Sequence, residues 1–310
     1  MDKLTARDFA KLFGTSEVAI RRVAGDLIDA IDLRYMTLDG VARDDLILAS
    51  LKRIHSSELK NAGEHRLTDW EEGWRENLIE FVQSNYDPRK LVPKYVKQNV
   101  PIKLNREYIL PAQPDFVYQY TKIFRAWLFQ EFLANCELVY EFGCGTGHNL
   151  FHLAELYPDK KLHGYDWAAS SQEIIQIINE QFDLDISMGM FDFFNPTAEL
   201  TFEPGSAVLT FGALEQVGPN HERYIDFLLR RHPIICVDVI GIHELYDVAY
   251  LLDYISLQYH GKRNYLSGYL TRLRELEAAG KIEIVKLHHH LFGNPYDDPY
   301  SYIVWKPISI

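Results

Sequence analysis

The sequence predicts an α/β fold built around a mostly parallel sheet. From about residue 137 onward, short apolar runs of strand length alternate with stretches whose apolar residues recur at helical spacing. A glycine-rich turn joins the first of these strands to the first of these helices. Near the C-terminus, a turn-rich segment separates two further apolar runs, which is typical of a hairpin.

The glycine-rich turn lies within Val139–Leu150, which reads V-Y-E-F-G-C-G-T-G-H-N-L. It joins a predicted strand at Leu138–Phe142 to a predicted helix at Asn149–Tyr157. Its three glycines alternate with other residues, so their spacing is tighter than that of the G-x-G-x-x-G dinucleotide motif. A strand that passes into a helix through glycines brings backbone N–H groups close to a ligand. The turn therefore predicts a ligand site.

The remaining elements of this C-terminal region follow in regular order. Helices are predicted at Ala168–Phe182 and His221–Arg231. A helical insertion at about 245–279 is longer than a crossover needs, so we expect it to build part of a substrate wall. The further strands are predicted at Lys161–Tyr165, Ile186–Phe191, Ala207–Phe211, Ile234–Val239, Lys281–Leu291 and Ser301–Trp305.

Residues 1–136 are predicted to form a helical N-terminal cap or lid over a catalytic domain at 137–310. Prolines 88, 93, 101, 111 and 114 indicate an extended loop over 86–115. The first two helices faintly resemble a helix-turn-helix, but their charges are balanced and form no basic stripe. The helices of this region are predicted to begin at Thr5 and to cover Val18–Ile31, Asp44–Ile54, Asp69–Gln83 and Phe116–Leu133.

Composition narrows the possible partners. The formal net charge of −12 argues against broad binding to a nucleic-acid backbone, which needs a basic face. No apolar run approaches the roughly 20 residues that a bilayer span requires, and the first ten residues lack the apolar core of a secretory signal. We therefore expect a cytoplasmic protein. The large helical N-terminal region suggests an enclosed pocket rather than an open groove, so we expect a small-molecule substrate. The sequence does not predict an oligomeric state.

Four elements occur in a fixed order at ordinary spacings. The glycine turn has Glu141 just before it, Asp166 follows the second strand, Asp192 follows the third, and Phe211 ends the fourth. Together they resemble the class I (Rossmann-like) S-adenosylmethionine (SAM)-dependent methyltransferases over residues 137–310. The resemblance implies a seven-stranded Rossmann-like sheet that ends in a C-terminal antiparallel hairpin. It also implies SAM as the cofactor.

The resemblance assigns a part of SAM to each element. Glu141 would orient the amino-acid tail through the loop, Asp166 would accept hydrogen bonds from the ribose hydroxyls, and Asp192 would bind the adenine amino group. The glycines are expected because side chains there would collide with the tail and the ribose. The predicted cofactor-binding residues are Glu141, Gly143, Cys144, Gly145, Gly147, Asn149, Asp166, Trp167, Asp192, Phe193 and Phe211.

Candidates for the chemistry follow the fourth and fifth strands, because open α/β sheets bind ligands at the carboxyl ends of their strands. The predicted catalytic residues are Glu215, His221, His243 and Tyr246. The predicted substrate-binding residues are Tyr95, Tyr108, Gln216, Glu244, Arg263 and Tyr265. Trp70 and Trp74 are expected to pack in the core. No metal site is expected, because only two side chains of the run His288–His290 share one face of a strand.

Three functions fit this pattern. The first is a methyltransferase that acts on the oxygen or nitrogen of a small molecule in an enclosed pocket. The second is an enzyme that uses the aminocarboxypropyl arm of SAM, by transfer or by cyclisation to a product such as azetidine-2-carboxylate, and releases methylthioadenosine. The third is a non-catalytic SAM-binding regulator, which the faint helix-turn-helix resemblance motivates.

Overall fold

A computed structural model describes residues 1–308 of the chain. Its strands are β1 (Asp2–Lys3), β2 (Arg34–Thr37), β3 (Ile102–Leu104), β4 (Glu107–Pro111), β5 (Leu138–Phe142), β6 (Lys161–Asp166), β7 (Ile186–Met190), β8 (Ser206–Phe211), β9 (Ile235–Val239), β10 (Ile282–His288), β11 (Phe292–Gly293) and β12 (Tyr302–Pro307). Its α-helices are α1 (Ala6–Phe13), α2 (Glu17–Ala30), α3 (Gly40–Ile54), α4 (Leu67–Gln83), α5 (Phe116–Phe132), α6 (His148–Leu156), α7 (Ala169–Phe182), α8 (Glu222–Arg231), α9 (Leu251–Arg263) and α10 (Tyr269–Ala278).

The predicted seven-stranded sheet is confirmed. Its strand order is β10-β12-β9-β8-β5-β6-β7, with the glycine-turn strand β5 near the middle. The central strands are parallel, and β12 lies antiparallel between β9 and β10. This is the C-terminal hairpin expected from the resemblance. All five residues of β5 are buried, as expected for a strand covered by helices on both faces.

A second, smaller sheet was not predicted. It has the order β1-β2-β4-β3-β11, and two of its strands lie within 86–115, where an extended loop was expected. β3 and β4 form a hairpin whose two turn residues, Asn105 and Arg106, both have positive φ angles of 50° and 62°. Turns of this kind usually carry glycine at the second position. Arginine there weakens the sequence signal, which is why the hairpin was missed.

This second sheet connects the two ends of the chain. β11, from the loop before the last strand, pairs antiparallel with β3, so that Phe292 lies opposite Leu104. The ring of Phe292 also stacks on Tyr120 of α5, with the centroids 3.5 Å apart. The N-terminal helices and the large sheet therefore share one apolar core. The boundary at residue 136 stays a prediction.

The segment between β9 and β10 contains two helices, in agreement with the predicted insertion. α10 packs against β10 as a crossover helix, and α9 packs against α3 from the N-terminal region. In the described part of the chain, no helix is both long and apolar enough to cross a membrane.

Candidate functional site

A cavity of about 670 Å³ lies at the carboxyl ends of β5, β6 and β8. This volume is within the range of roughly 300–1,000 Å³ that is usual for small-molecule sites. One end is lined by the glycine turn, and the other by residues that follow β8 and α9. Its remaining walls come from α4, from the segment around Tyr95, from α5 and from the loop at 292–300.

The glycine turn is held against the neighbouring strand. The amides of Gly143 and Cys144 both donate to the Tyr165 carbonyl, at 2.7 and 3.1 Å. Gly143, Gly145 and Gly147 have φ angles of 73°, 53° and 70°, which glycine adopts without strain.

Protein atoms, rather than open space, surround these glycines. A Cβ on Gly143 would lie 2.3 Å from the Ala213 Cβ, and one on Gly145 would lie 2.9 Å from the Trp74 ring. Gly147 begins α6 outside the cavity lining, and a Cβ there would meet Ile175 and Ile178. Packing against the protein therefore already disfavours side chains at these positions, and the expected collision with a ligand stays a prediction.

Asp166 connects the turn to the next helix. Its Oδ2 accepts a hydrogen bond from the Gly145 amide and its Oδ1 accepts one from Ala168, both at 2.9 Å. Burial raises the pKa of Asp166 to about 6, although these hydrogen bonds oppose the rise. The carboxylate lines the cavity, so it combines a fixed position with access to a ligand.

Glu141 lies beneath the turn and is fully buried. Its Oε1 accepts a hydrogen bond of 2.7 Å from Nδ2 of Asn149, while its Oε2 has no partner. Burial raises the pKa of Glu141 to about 8, and the Asn149 bond and the Arg125 charge only partly offset this. Glu141 itself does not line the cavity, but Asn149 does. Glu141 can therefore act on a ligand through Asn149.

Two residues on this wall were missed in the sequence. Arg125 of α5 is 6% exposed, lines the cavity, and has a buried Nε without a hydrogen-bond partner. Burial lowers the pKa of Arg125, against the effect of three nearby tyrosines and Glu141. His148 lines the same wall, and neither of its ring nitrogens has a partner. Burial holds the pKa of His148 well below its usual range, so the imidazole is neutral.

Aromatic side chains line the next part of the cavity, and their contact with adenine stays a prediction. Trp167, Phe193 and Phe211 line it, and Trp167 stacks on Phe194 at 6.1 Å. Asp192 does not line the cavity. Its two carboxylate oxygens accept hydrogen bonds from the Phe194 amide and the Asn195 side chain, which places Asp192 in a turn beside the site.

The aromatic side chains of the N-terminal region that line the cavity are not all those that the sequence predicted. Tyr95 lines the cavity; its side chain is 55% accessible, and part of that surface faces the cavity. Trp74 lies in the hydrophobic core and Trp70 packs against it, as expected, and both also line the cavity. Tyr108, which was expected to bind substrate, does not line the cavity. It is buried in β4, and its hydroxyl donates to the Pro295 carbonyl at 2.9 Å.

At the opposite end, four predicted residues come together. Glu215, Gln216, Arg263 and Tyr265 all line the cavity. Glu215 Oε2 and Arg263 Nε are buried and have no hydrogen-bond partner. Burial raises the pKa of Glu215 to about 7. This end can therefore exchange a proton near neutral pH.

Three of the predicted catalytic residues lie outside the cavity lining. His221 bonds to the Ser267 carbonyl at 3.0 Å and so holds the connection between α9 and α10. Tyr246 donates to Asp297, and His243 packs near His260. After β9 the chain does not return to the cavity lining until Tyr259, which keeps His243 and Tyr246 out of it. His221 precedes β9, and its imidazole is directed to Ser267 instead.

Glu244 was predicted to bind substrate but also lies elsewhere. Its carboxylate accepts a hydrogen bond from the Thr271 amide in the first turn of α10. In contrast, the loop at 292–300 contributes Asp297 and Tyr300 to the lining, and neither was predicted. No local pattern marks them, because a turn-rich segment gives no sign of which surface it covers.

No protein-family model matches the chain, and no curated protein matches it. Among solved structures, it is similar to N,N-8-amino-8-demethyl-D-riboflavin dimethyltransferase from Streptomyces davawensis, with 14% identity, 98% of this chain and 89% of that chain covered, and a TM-score of 0.42. A putative methyltransferase from Bacillus halodurans is 19% identical over 53% of this chain and 71% of that chain, with a TM-score of 0.41. TehB from Haemophilus influenzae is 12% identical over 64% of this chain and 68% of that chain, with a TM-score of 0.42.

All three TM-scores lie below 0.5, so the fold assignment rests on the sheet itself. Its strand order, the glycine turn after a central strand and the antiparallel last strand define a Rossmann-like fold of the class I methyltransferase type.

Proposed function

We propose that this chain is a SAM-dependent methyltransferase that acts on a small molecule inside an enclosed pocket. The observation that carries the proposal is Arg125, a buried guanidinium that faces the glycine-turn end of the cavity without an acidic partner. Buried charges in proteins are normally paired, so an unpaired one indicates a ligand of opposite charge. The α-carboxylate of SAM is such a group.

The other residues at this end fit the rest of the molecule. Asn149, held by Glu141, lines the cavity and would contact the α-ammonium group. Asp166 would accept hydrogen bonds from the ribose hydroxyls, and Trp167 and Phe193 would contact adenine. Bound SAM supplies a methyl group on a sulfonium centre. Aromatic rings such as Tyr95 favour a cation close to their faces.

The walls of the cavity support a small acceptor. Tyr95, Trp74 and the loop with Asp297 all contribute to its lining. Such walls hold the acceptor at a fixed distance and exclude water, which are the main requirements for methyl transfer. Glu215 lies at the acceptor end and is the candidate for removing a proton.

The test uses the charge of Arg125. We expect Arg125→Met to weaken the binding of SAM and of S-adenosylhomocysteine at least about tenfold, because a charge-assisted hydrogen bond is worth about 1.5–3 kcal/mol. Methylthioadenosine lacks the amino-acid tail, so its affinity should stay within about twofold of wild type. Arg274→Met on the exposed face of α10 is the matched control. Calorimetric titration measures all three ligands, and an equal loss for methylthioadenosine would contradict the assignment.

The nucleoside product then distinguishes methyl transfer from the alternative reactions. Turnover should leave S-adenosylhomocysteine, which mass spectrometry distinguishes from the methylthioadenosine that use of the aminocarboxypropyl arm leaves. Methylthioadenosine as the main product would replace methyl transfer with that alternative. Binding without any turnover would favour the non-catalytic regulator.

A further inference from the structure

Two carboxylates from distant parts of the chain lie at the acceptor end of the cavity. Glu215 belongs to a short 3₁₀ helix, Leu214–Val217, that follows β8. Asp297 comes from the loop between β11 and β12 and is 4% exposed. Both line the cavity. His260, whose Nε2 lies 2.6 Å from Asp297 Oδ1, has its ring centroid 5.5 Å from that of Tyr265, which places Asp297 at the same end.

Asp297 is fixed from behind by two side chains. Its Oδ1 accepts a hydrogen bond of 2.8 Å from the Tyr246 hydroxyl and one of 2.6 Å from His260 Nε2. Both bonds involve Oδ1, so Oδ2 remains available to a ligand. Tyr246 and His260 do not line the cavity. They are positioning residues, and this explains why Tyr246 lies near the site without facing it.

The two carboxylates differ in protonation. Burial alone would raise the pKa of Asp297, but His260 and the buried Lys103 lower it to about 2. Burial raises the pKa of Glu215 to about 7, with Asp297 adding to the rise and with His260 and Arg263 opposing it. At neutral pH, one group is therefore a permanent anion and the other can gain or lose a proton. Two carboxylates with separated pKa values are typical of sites where one binds and the other transfers a proton.

We propose that the acceptor is a small primary amine whose nitrogen is held between Glu215 and Asp297. The inference rests on the proposed function and adds the chemical class of its substrate. A hydroxyl group has one hydrogen to donate, whereas a primary amine has two and its ammonium form has three. A primary amine can therefore donate to both carboxyl groups, and its ammonium form would also offset one of their negative charges. A hydroxyl would leave one of them unpaired in a buried place.

Glu215 and Asp297 are sufficient for the transfer of the methyl group and of the proton. The ammonium form of the acceptor gives one proton to ionised Glu215, which frees the nitrogen lone pair. That pair forms the new N–C bond while the C–S bond breaks and its electrons pass to sulfur, leaving a neutral thioether. The methylated nitrogen carries the positive charge, and Asp297 stays ionised beside it throughout.

Arg263 offers the main competing interpretation, because it is a cation at the same end of the cavity. Its guanidinium donates to the Tyr265 hydroxyl at 3.0 Å, and its Nε is free. An acidic acceptor would bind to Arg263 but would be repelled by two nearby carboxylates. We therefore assign Arg263 to a substituent or to the positioning of Tyr265, rather than to the reacting group.

The experiment compares three probes that share one aromatic skeleton: benzylamine, benzyl alcohol and benzoate. Each is titrated calorimetrically into the full-length protein saturated with S-adenosylhomocysteine. We expect benzylamine to bind at least about tenfold more tightly than the other two. Asp297→Asn and Glu215→Gln should each lower its affinity about fivefold or more, while S-adenosylhomocysteine affinity stays within about twofold.

Two variants keep the test decisive. Glu215 Oε2 has no partner to lose, so Glu215→Gln should fold normally even if Asp297→Asn disturbs the contacts with His260 and Tyr246. Glu244→Gln makes the same chemical change outside the cavity and should alter nothing. Binding of benzyl alcohol or benzoate as tight as that of benzylamine would overturn the proposal. So would no benzylamine binding at roughly 10 mM, or no effect of Glu215→Gln. Failure of the wild type to bind S-adenosylhomocysteine would instead reject the proposed function itself.

Discussion

Glu141 is a carboxylic acid held in a place where its charge is unfavourable. It is fully buried, and only one of its oxygens has a hydrogen-bond partner. Burial raises its pKa to about 8, so the group is largely protonated at neutral pH. A protonated acid can donate a hydrogen bond, which an ionised one cannot. Its protonation state therefore affects both the stability of the fold and the orientation of Asn149.

This shift predicts a specific pH dependence of stability. In the unfolded chain Glu141 loses its proton near its ordinary pKa of 4.5, whereas in the folded protein it keeps the proton up to about pH 8. Stability from this group is therefore complete below pH 4.5 and falls as the pH rises to 8. As the pH rises across this window, the free energy of unfolding of Glu141→Gln should increase relative to that of wild type by on the order of a few kcal/mol.

Urea unfolding at about pH 5 and pH 8 measures the difference. Asp166 contributes a slope of the same sign over a lower window, but it is present in both proteins and so does not affect the comparison. Exposed Glu137→Gln is the control and should follow wild type at both values. A constant gap between wild type and Glu141→Gln would show that Glu141 is ionised in the folded protein.

Among the helices and strands, the sequence predicted those elements whose pattern lies within the element itself. Every strand of the large sheet was predicted to within a few residues, because each is an apolar run between turn residues. β2 is four residues long and alternates between exposed and half-buried positions, so it has no such run. Arg125 belongs to a helix with ten buried residues, and nothing in its neighbours shows that it faces a cavity. Partners and cavity walls are set by tertiary contacts, which a local pattern does not contain.

The glycine turn gives a prediction at this scale. Gly143→Ala should destabilise the protein and weaken SAM binding, because its Cβ would lie 2.3 Å from the Ala213 Cβ. Adding Ala213→Gly removes that contact and leaves a 3.3 Å contact with the Phe193 ring and the cost of a positive φ, about 1–2 kcal/mol. We expect the double variant to recover much of the stability and of the SAM affinity. Thermal unfolding and calorimetry measure the two. A double variant that folds well but does not bind SAM would instead indicate that a side chain at position 143 collides with the ligand itself.

At the scale of the whole molecule, the acceptor end depends on contacts between distant parts of the chain. Asp297 lies in a loop that is attached to the small sheet through β11 and β3. Next to it, Asp298 accepts a hydrogen bond of 2.8 Å from Lys103 in β3, and both side chains are buried. Lys103 also donates to Ser256 of α9 at 2.6 Å. The small sheet, the insertion and the final loop therefore meet at one buried ion pair beside the site.

Removing one charge of this ion pair should destabilise the protein more than removing both charges. Lys103→Met leaves the buried Asp298 carboxyl without its ammonium partner and with only His289 Nε2 at 3.9 Å, and breaking a buried ion pair typically costs about 3–5 kcal/mol. Lys103→Met with Asp298→Asn removes both charges, so we expect it to be more stable than the single variant, and chemical denaturation measures both. The single variant should also lose more affinity for benzylamine than for S-adenosylhomocysteine, because it loosens the loop that holds Asp297 and leaves the glycine turn intact. Equal stability of the two variants, or an equal loss of both ligands, would mean that the ion pair does not hold this loop in place.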